Sequence, residues 1–282
     1  MKKMIVIILG IEYLLAQPPI IIPANKIDAE VKVEVEFDSI LNMFTFNYKI
    51  KSLPTSEQYI WAFCIPLSTP SDTLQIKEVT GPIDWWDESG RVFGFGKWVP
   101  FSSIDSLYEL KPGDSLSGFS IKTYLFPDTG NAYLEGDAPP PTFFEEPPEN
   151  WEDSLGIKYW SLTPYGPGKV YRTVGFSEKP PLTSTLPGGH YPNEAFKHLR
   201  NKLDNCNTIN WVGEHEYWEL RRILEHAWNH IENGRLEQSK RTLTRFMKTI
   251  ERLKEQGKIT KEAFYVLWYR TKYVRDNLWY KP

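Results

Sequence analysis

The feature that most constrains this chain is a change of hydrophobic period part-way along it. Between positions 30 and about 135, apolar residues recur at every second position. Val31, Val33, Val35 and Phe37 alternate with Lys32, Glu34 and Glu36, and Phe44, Phe46, Tyr48 and Ile50 alternate with Thr45, Asn47 and Lys49. Side chains on a strand point to its two faces in turn, so the pattern predicts antiparallel strands with one buried and one wet face. From Glu214 onward the spacing is instead that of one face of a helix. A sheet cannot satisfy the second pattern nor a bundle the first. The chain therefore reads as an α+β multidomain protein, sheet first and helices last.

In the first part, positions 58–65 form a mostly apolar strand, Leu74, Ile76 and Val79 suggest another, and positions 91–95 a short one. Positions 115–123 follow a Pro112-Gly113 turn. Turns every 8–12 residues over about 105 residues predict an immunoglobulin-like antiparallel β-sandwich. In the last part, Leu220, Ile223, Leu224, Ala227 and Ile231 form one stripe, and Leu236, Leu243, Phe246, Ile250 and Leu253 a second. Ala263, Val266, Leu267, Val274 and Leu278 form a third. Gly234 and Gly257 suit the left-handed position after a helix, and Thr260 suits an N-cap. The connections are short, so the expected unit is an antiparallel three-helix bundle, preceded by a shorter helix near 194–203. Proline-rich runs at 137–148 and 180–192 mark a semi-rigid connector with some strand between them.

Lys2 and Lys3, the apolar run 4–15 and the small Ala16 form the pattern of a secretory signal. The run is shorter than the roughly 20 residues a spanning helix needs. The expected division is a signal peptide at 1–16, the sandwich at 17–136, the connector at 137–192 and the helical bundle at 193–282. The expected location is outside the cytoplasm: extracellular, periplasmic or at the cell surface, with no transmembrane span after signal removal. Lys plus Arg is 33 and Asp plus Glu 36, for a net charge of −3. That balance argues against nucleic acid as a partner. Two cysteines exclude a disulfide-dense scaffold.

Chemistry-bearing motifs are weak. His226 and His230 stand at i and i+4, but no third ligand is indicated, and they read as solvent-facing. Gly166-Pro-Gly-Lys169 lacks the upstream glycine of a phosphate loop, and Gly94-Phe-Gly96 the third glycine of a dinucleotide site. Ser117 lies in Leu-Ser-Gly, outside a G-x-S-x-G elbow. Acidic residues such as Asp84, Asp87, Glu88, Glu145, Glu146, Glu152 and Asp153 are numerous, but nothing pairs them across a cleft. Arg221, Arg222, Lys240, Arg241, Arg245 and Lys248 read as a solvated face. Cys64 reads as a core residue; Cys206 is either its partner across the modules, a free thiol or an intermolecular link. No catalytic residue, metal or cofactor is assigned. The binding candidates are Trp85, Trp86 and Trp98 in or beside loops of the β-region, with Trp151 and Trp160 in the connector. Exposed indoles stack on sugar rings or anchor interfaces, whereas buried ones merely close the sandwich end.

Two resemblances bear on these readings. The run Leu110-Lys-Pro-Gly-Asp-Ser-Leu-Ser-Gly-Phe-Ser-Ile121 resembles a turn-plus-strand found late in uncharacterised secreted bacterial β-sandwich modules, and the 53–61 loop and the 81–85 segment also fit such modules. That resemblance implies a fold and export. Positions 220–231, Glu232-Asn-Gly-Arg235, Leu243-Thr-Arg-Phe246, Gln256-Gly-Lys-Ile-Thr260, Ala263 and Leu267 resemble FIMAH helical modules, which implies an interaction or spacer role. Trp268, Tyr269, Tyr273 and Trp279 are heavier than that pattern leads one to expect. The favoured reading is a non-catalytic binding or scaffolding protein whose partner is a cell-surface or extracellular protein or polysaccharide. A carbohydrate-binding accessory module using exposed tryptophan is the alternative, and a glycan-active hydrolase the third reading.

Overall fold

The alternating stretch closes on itself as a hairpin. Strand β1 (Ala29–Asp38) pairs antiparallel with β2 (Met43–Ser52), setting Val33 opposite Tyr48 and Val35 opposite Phe46. Asp38 Oδ1 accepts the N–H groups of Ile40 and Leu41 at 2.8 and 3.0 Å, and Asn42 turns the chain at φ 53°. Short polar side chains tolerate that left-handed region and supply the turn's own hydrogen bonds. The computed structural model describes residues 26–67, 74–87, 98–136, 169–180 and 191–278. The expected signal at 1–16, the strand at 91–95, and Trp151 and Trp160 lie outside the described residues.

Strand β2 also pairs with β7 (Ser115–Thr123), and β7 with β4 (Ile76–Thr80), giving a sheet of order β1-β2-β7-β4. The second sheet has β5 (Trp85–Asp87), β6 (Trp98–Ser103), β3 (Ile60–Pro66), β8 (Phe126–Gly136) and β9 (Lys169–Ser177), in the order β5-β6-β3-β8-β9. Placing β1-β2-β7-β4 against β9-β8-β3 is the immunoglobulin-like arrangement, extended at one edge by β5 and β6. The two inner faces meet through aromatic rings. Phe119 lies 5.0 Å from Phe63 and 5.1 Å from Phe101 between centroids, and Tyr48 lies 5.6 Å from Phe63. Tyr48 also donates its hydroxyl to the Val174 carbonyl at 2.8 Å, so its buried oxygen is satisfied and the sheets are tied. The stretch 169–177, placed in the connector by its sequence, pairs with β8 along its length and belongs to this sheet.

Four helices follow: α1 (Tyr191–Thr208), α2 (Glu214–Glu232), α3 (Leu236–Glu255) and α4 (Lys261–Asn277). The first is full length rather than short, so the expected three-helix unit gains a fourth member. The three stripes do form the core: Leu220, Leu224, Ala227, Leu243, Phe246, Ile250, Ala263, Val266 and Val274 are buried. Gly234 and Gly257 stop their helices at φ +68° and +65°, a region where a Cβ is strained. Thr260 Oγ1 accepts the Ala263 N–H at 3.2 Å, capping α4. Among the described residues no helix is long and apolar enough to cross a membrane.

Helix α4 rests on the sandwich, and its heavy aromatics explain how. The Tyr269 ring meets Phe44 edge-on at 5.1 Å and lies 6.0 Å from Phe37, while Tyr273 meets Phe126 at 5.0 Å. Lys261 pairs with Glu34 of β1, and Tyr265 donates to the same carboxylate at 2.8 Å. Aliphatic side chains at these positions would not span the gap; the bulky ones do, and α4 thereby carries two interfaces at once.

Candidate functional site

A cluster of buried and half-buried titratable groups gathers where the helices meet the sandwich. Arg270 of α4 is fully buried and distributes its donors widely. Its Nε reaches the Pro127 carbonyl at 2.8 Å and its Nη1 the Glu178 carbonyl at 3.1 Å. Its Nη2 reaches Ser177 Oγ at 2.7 Å and lies 3.4 Å from Asp128 Oδ2. Asp128 Oδ2 also accepts from Lys202 Nζ at 2.6 Å and Ser177 Oγ at 2.5 Å. Burial would raise the Asp128 pKa, but the Arg270 and Lys202 cations and the hydrogen bonds outweigh it and hold the carboxyl below its ordinary value. His198 Nε2 lies 2.7 Å from Arg270 Nη1. A guanidinium has only donors, so this nitrogen accepts and the ring is neutral. Burial, then the neighbouring Arg270 and Lys202 charges, hold the His198 pKa down to about 4. Burial likewise pushes the Cys206 thiol up to about 12, far from the thiolate that a nucleophile requires.

A second buried acid lies on β8. Glu135 sits opposite Ala62 of β3, its Oε2 has no hydrogen-bond partner among the described residues, and burial pushes its pKa up to about 9. It is therefore a neutral carboxylic acid at pH 7.

The three candidate tryptophans are not brought onto one surface. Trp85 is only 5% exposed; its ring meets Phe119 edge-on at 5.2 Å and its Nε1 donates to the Tyr108 carbonyl at 3.0 Å. It is a core residue, and the expectation that it offers a stacking face does not hold. Strand alternation then sends Trp86 outward, where it is 48% exposed. Trp86 pairs with Ser102, and Trp98 stands an even number of residues away on the same strand, so both lie on the outer face of the sheet. Trp98 is half-buried against Tyr133, with ring centroids 4.9 Å apart. The His226 and His230 rings lie 4.6 Å apart on α2, tilted by 50°, and no group of three metal-ligating side chains occurs among the described residues. Cys64 and Cys206 are both buried and form no disulfide with one another, so the bridge between the modules is not made.

A groove of about 230 Å³ runs between α1 and α2, walled by Phe196, Lys197 and Arg200 on one side and Arg221, Leu224, Glu225 and Trp228 on the other. The second wall is one helical face, because 221, 224, 225 and 228 recur at steps of three, one and three. Its floor is aromatic: the Trp228 ring lies 5.5 Å from that of Phe196. Arg221, read from the sequence as solvated, is instead held by Asp204 and Glu225, each at 2.8 Å. Lys197 and Arg200 are exposed and enter no ion pair among the described residues. With Arg221 they make three positive charges against the two carboxylates of Asp204 and Glu225, a net charge of one positive at this groove. The sequence places Trp228 one turn beyond Leu224 on α2, but the stripes mark only the core-facing residues and the short helix expected near 194–203 gives no wall to oppose it.

Residues 196–276 match the family model of the FIMAH domain. The match begins at Phe196 on the groove wall and ends within the last turn of α4, so both walls lie within the matched residues and the β-sandwich lies outside them. Of the residues heavier than that pattern leads one to expect, Tyr269 and Tyr273 dock the sandwich, Trp268 donates to Glu251 of α3, and Trp279 lies outside the described residues. No curated protein matches the chain.

Proposed function

We propose that this is an exported, non-catalytic binding or scaffolding protein of the cell surface or extracellular space, in which the β-sandwich and the FIMAH domain act as one rigid unit. The observation that carries the reading is the Arg270 joint. Asp128, Lys202, Ser177, His198 and Arg270 are the densest cluster of ionisable and hydroxyl groups described above, and they spend their hydrogen bonds on each other across the seam between sandwich and helices. Groups committed to one another in this way hold two bodies in a fixed pose. Export rests on the Lys2-Lys3 start, the apolar run 4–15 and Ala16. The partner class is an envelope or extracellular polysaccharide or protein.

The test is retention without turnover. Residues 17–282 are immobilised and challenged with an array of cell-envelope and extracellular polysaccharides and with purified envelope proteins. Retention of at least one of them with no released product is expected. Product release from a retained glycan, or no retention of any, refutes the reading. The rival within the binding class, a carbohydrate-binding module working through the sandwich, is favoured by one observation, the 48% exposure of Trp86. It predicts that Trp86→Ala abolishes glycan retention.

A further inference from the structure

We propose that the groove between α1 and α2 is a subsite for a carboxylated pyranose, a uronic-acid unit of an acidic polysaccharide. The proposal rests on the binding reading above and names its ligand class. Three features of the groove converge on this ligand. The first is size: about 230 Å³ is below the roughly 300–1,000 Å³ of a site that swallows a whole small molecule, so it seats one ring-sized unit of something longer. The second is the floor. Half-buried Trp228, its indole tilted 53° to the buried Phe196 ring that backs it, lines the groove with an aromatic ring of the kind that the C–H face of a pyranose covers. The third is charge. Asp204 and Glu225 set two negative charges against the three positive charges of Arg221, Lys197 and Arg200, which leaves the groove one net positive charge; the cations outside any ion pair among the described residues are Lys197 and Arg200, one helical turn apart on α1.

A carboxylate on the seated ring meets the guanidinium of Arg200 as a paired acceptor, with Lys197 as a second cation. A neutral sugar would leave those two cations unused. An acidic peptide side chain would leave the indole uncovered, because it has no ring face to lay on it. Glu225 carries a negative charge at the rim, and its Oε1 is taken by Arg221 Nε, which keeps that charge turned to a cation rather than to the ligand.

The experiment uses residues 17–282 in affinity electrophoresis and calorimetry with polygalacturonate, free galacturonate, a neutral galactan and polyglutamate. Polygalacturonate is expected to retard the protein and free galacturonate to compete with it, and added salt is expected to weaken the binding. Lys197→Gln with Arg200→Gln, and separately Trp228→Ala, are expected to weaken it about tenfold or more, the scale of one charge-assisted contact. Lys248→Gln, an exposed charge change on α3, is the control and is expected to have no effect. Circular dichroism confirms folding of each variant, and the exposed Lys197 and Arg200 pair carries the test should Trp228→Ala fail to fold. Equal binding of galactan or of polyglutamate, or polygalacturonate binding untouched by Lys197→Gln/Arg200→Gln, overturns the proposal. Galactan binding that survives that pair but not Trp86→Ala overturns it while leaving the binding reading intact. Failure to bind any array member overturns both.

Discussion

A guanidinium with no exposed surface has to find a partner inside the protein for each of its donors. Arg270 does so through the carbonyls of Pro127 and Glu178, the hydroxyl of Ser177, the imidazole of His198 and the carboxylate of Asp128. Arg270→Met keeps much of the length and removes the charge. It leaves Asp128 buried with Lys202 alone and strips two carbonyls of their donor. The expected loss is about 3–5 kcal/mol in chemical denaturation, the scale for breaking a buried pair from one side. Lys202→Met, whose partner keeps Arg270, should cost less. None of this was legible in the sequence. An arginine amid helix aromatics reads as surface, and these partners lie from 72 to 143 positions earlier, on two strands, a loop and another helix. At Trp85 and Trp86 the sequence gives two adjacent indoles, and only strand register decides that the first is core and the second is surface.

At the scale of elements, the helices were the easier text. Each carries its stripe and its punctuation locally, since a cap is made by residues three apart and a stop by one glycine. Thr260→Ala tests that grammar. It removes the acceptor for the Ala263 N–H, and about 1 kcal/mol of stability should go with it, read as a lowered midpoint in urea at unchanged slope. The strands divided by position in the sheet. The edge hairpin β1–β2 keeps a wet face and alternates clearly. Strand β8 lies between β3 and β9, and helices α1 and α4 pack against its start, so it loses the alternation that betrays a strand. Strand β6 carries Pro100 at a paired position opposite Cys64, a residue type that argues against a strand interior. The groove suffered the same fate by a different route. Its two walls are legible as helix faces, but that they oppose one another is a fact of packing.

For the whole molecule, half-buried His198 on α1 and buried Glu135 near the end of β8 set the pH response against one another. His198 binds its proton near pH 4 in the folded protein and near its ordinary 6.5 when unfolded. The unfolded chain thus holds the extra proton between those values, and on this account stability falls as pH drops from about 6.5 to about 4. Asp128, held below its ordinary value, contributes stability above that value and loses it as pH falls further, so it steepens the acid limb. Glu135 runs the other way. Its folded pKa of about 9 lies above the ordinary 4.5, so its contribution is full below pH 4.5 and is lost as pH rises towards 9. From about 4.5 to 6.5 the folded state holds one more proton on Glu135 and the unfolded state one more on His198. The two slopes cancel, and urea titrations should give a plateau in stability there, with a decline on either side. Glu135→Gln removes one slope. The variant should then gain stability steadily from pH 4 to 6.5 and stay level up to pH 9. His198→Asn removes the other and should leave a protein that weakens from pH 4.5 upward. A wild-type curve with the plateau, but with neither variant tilting it, would show that the two groups do not govern the seam and the sheet in the way the geometry requires.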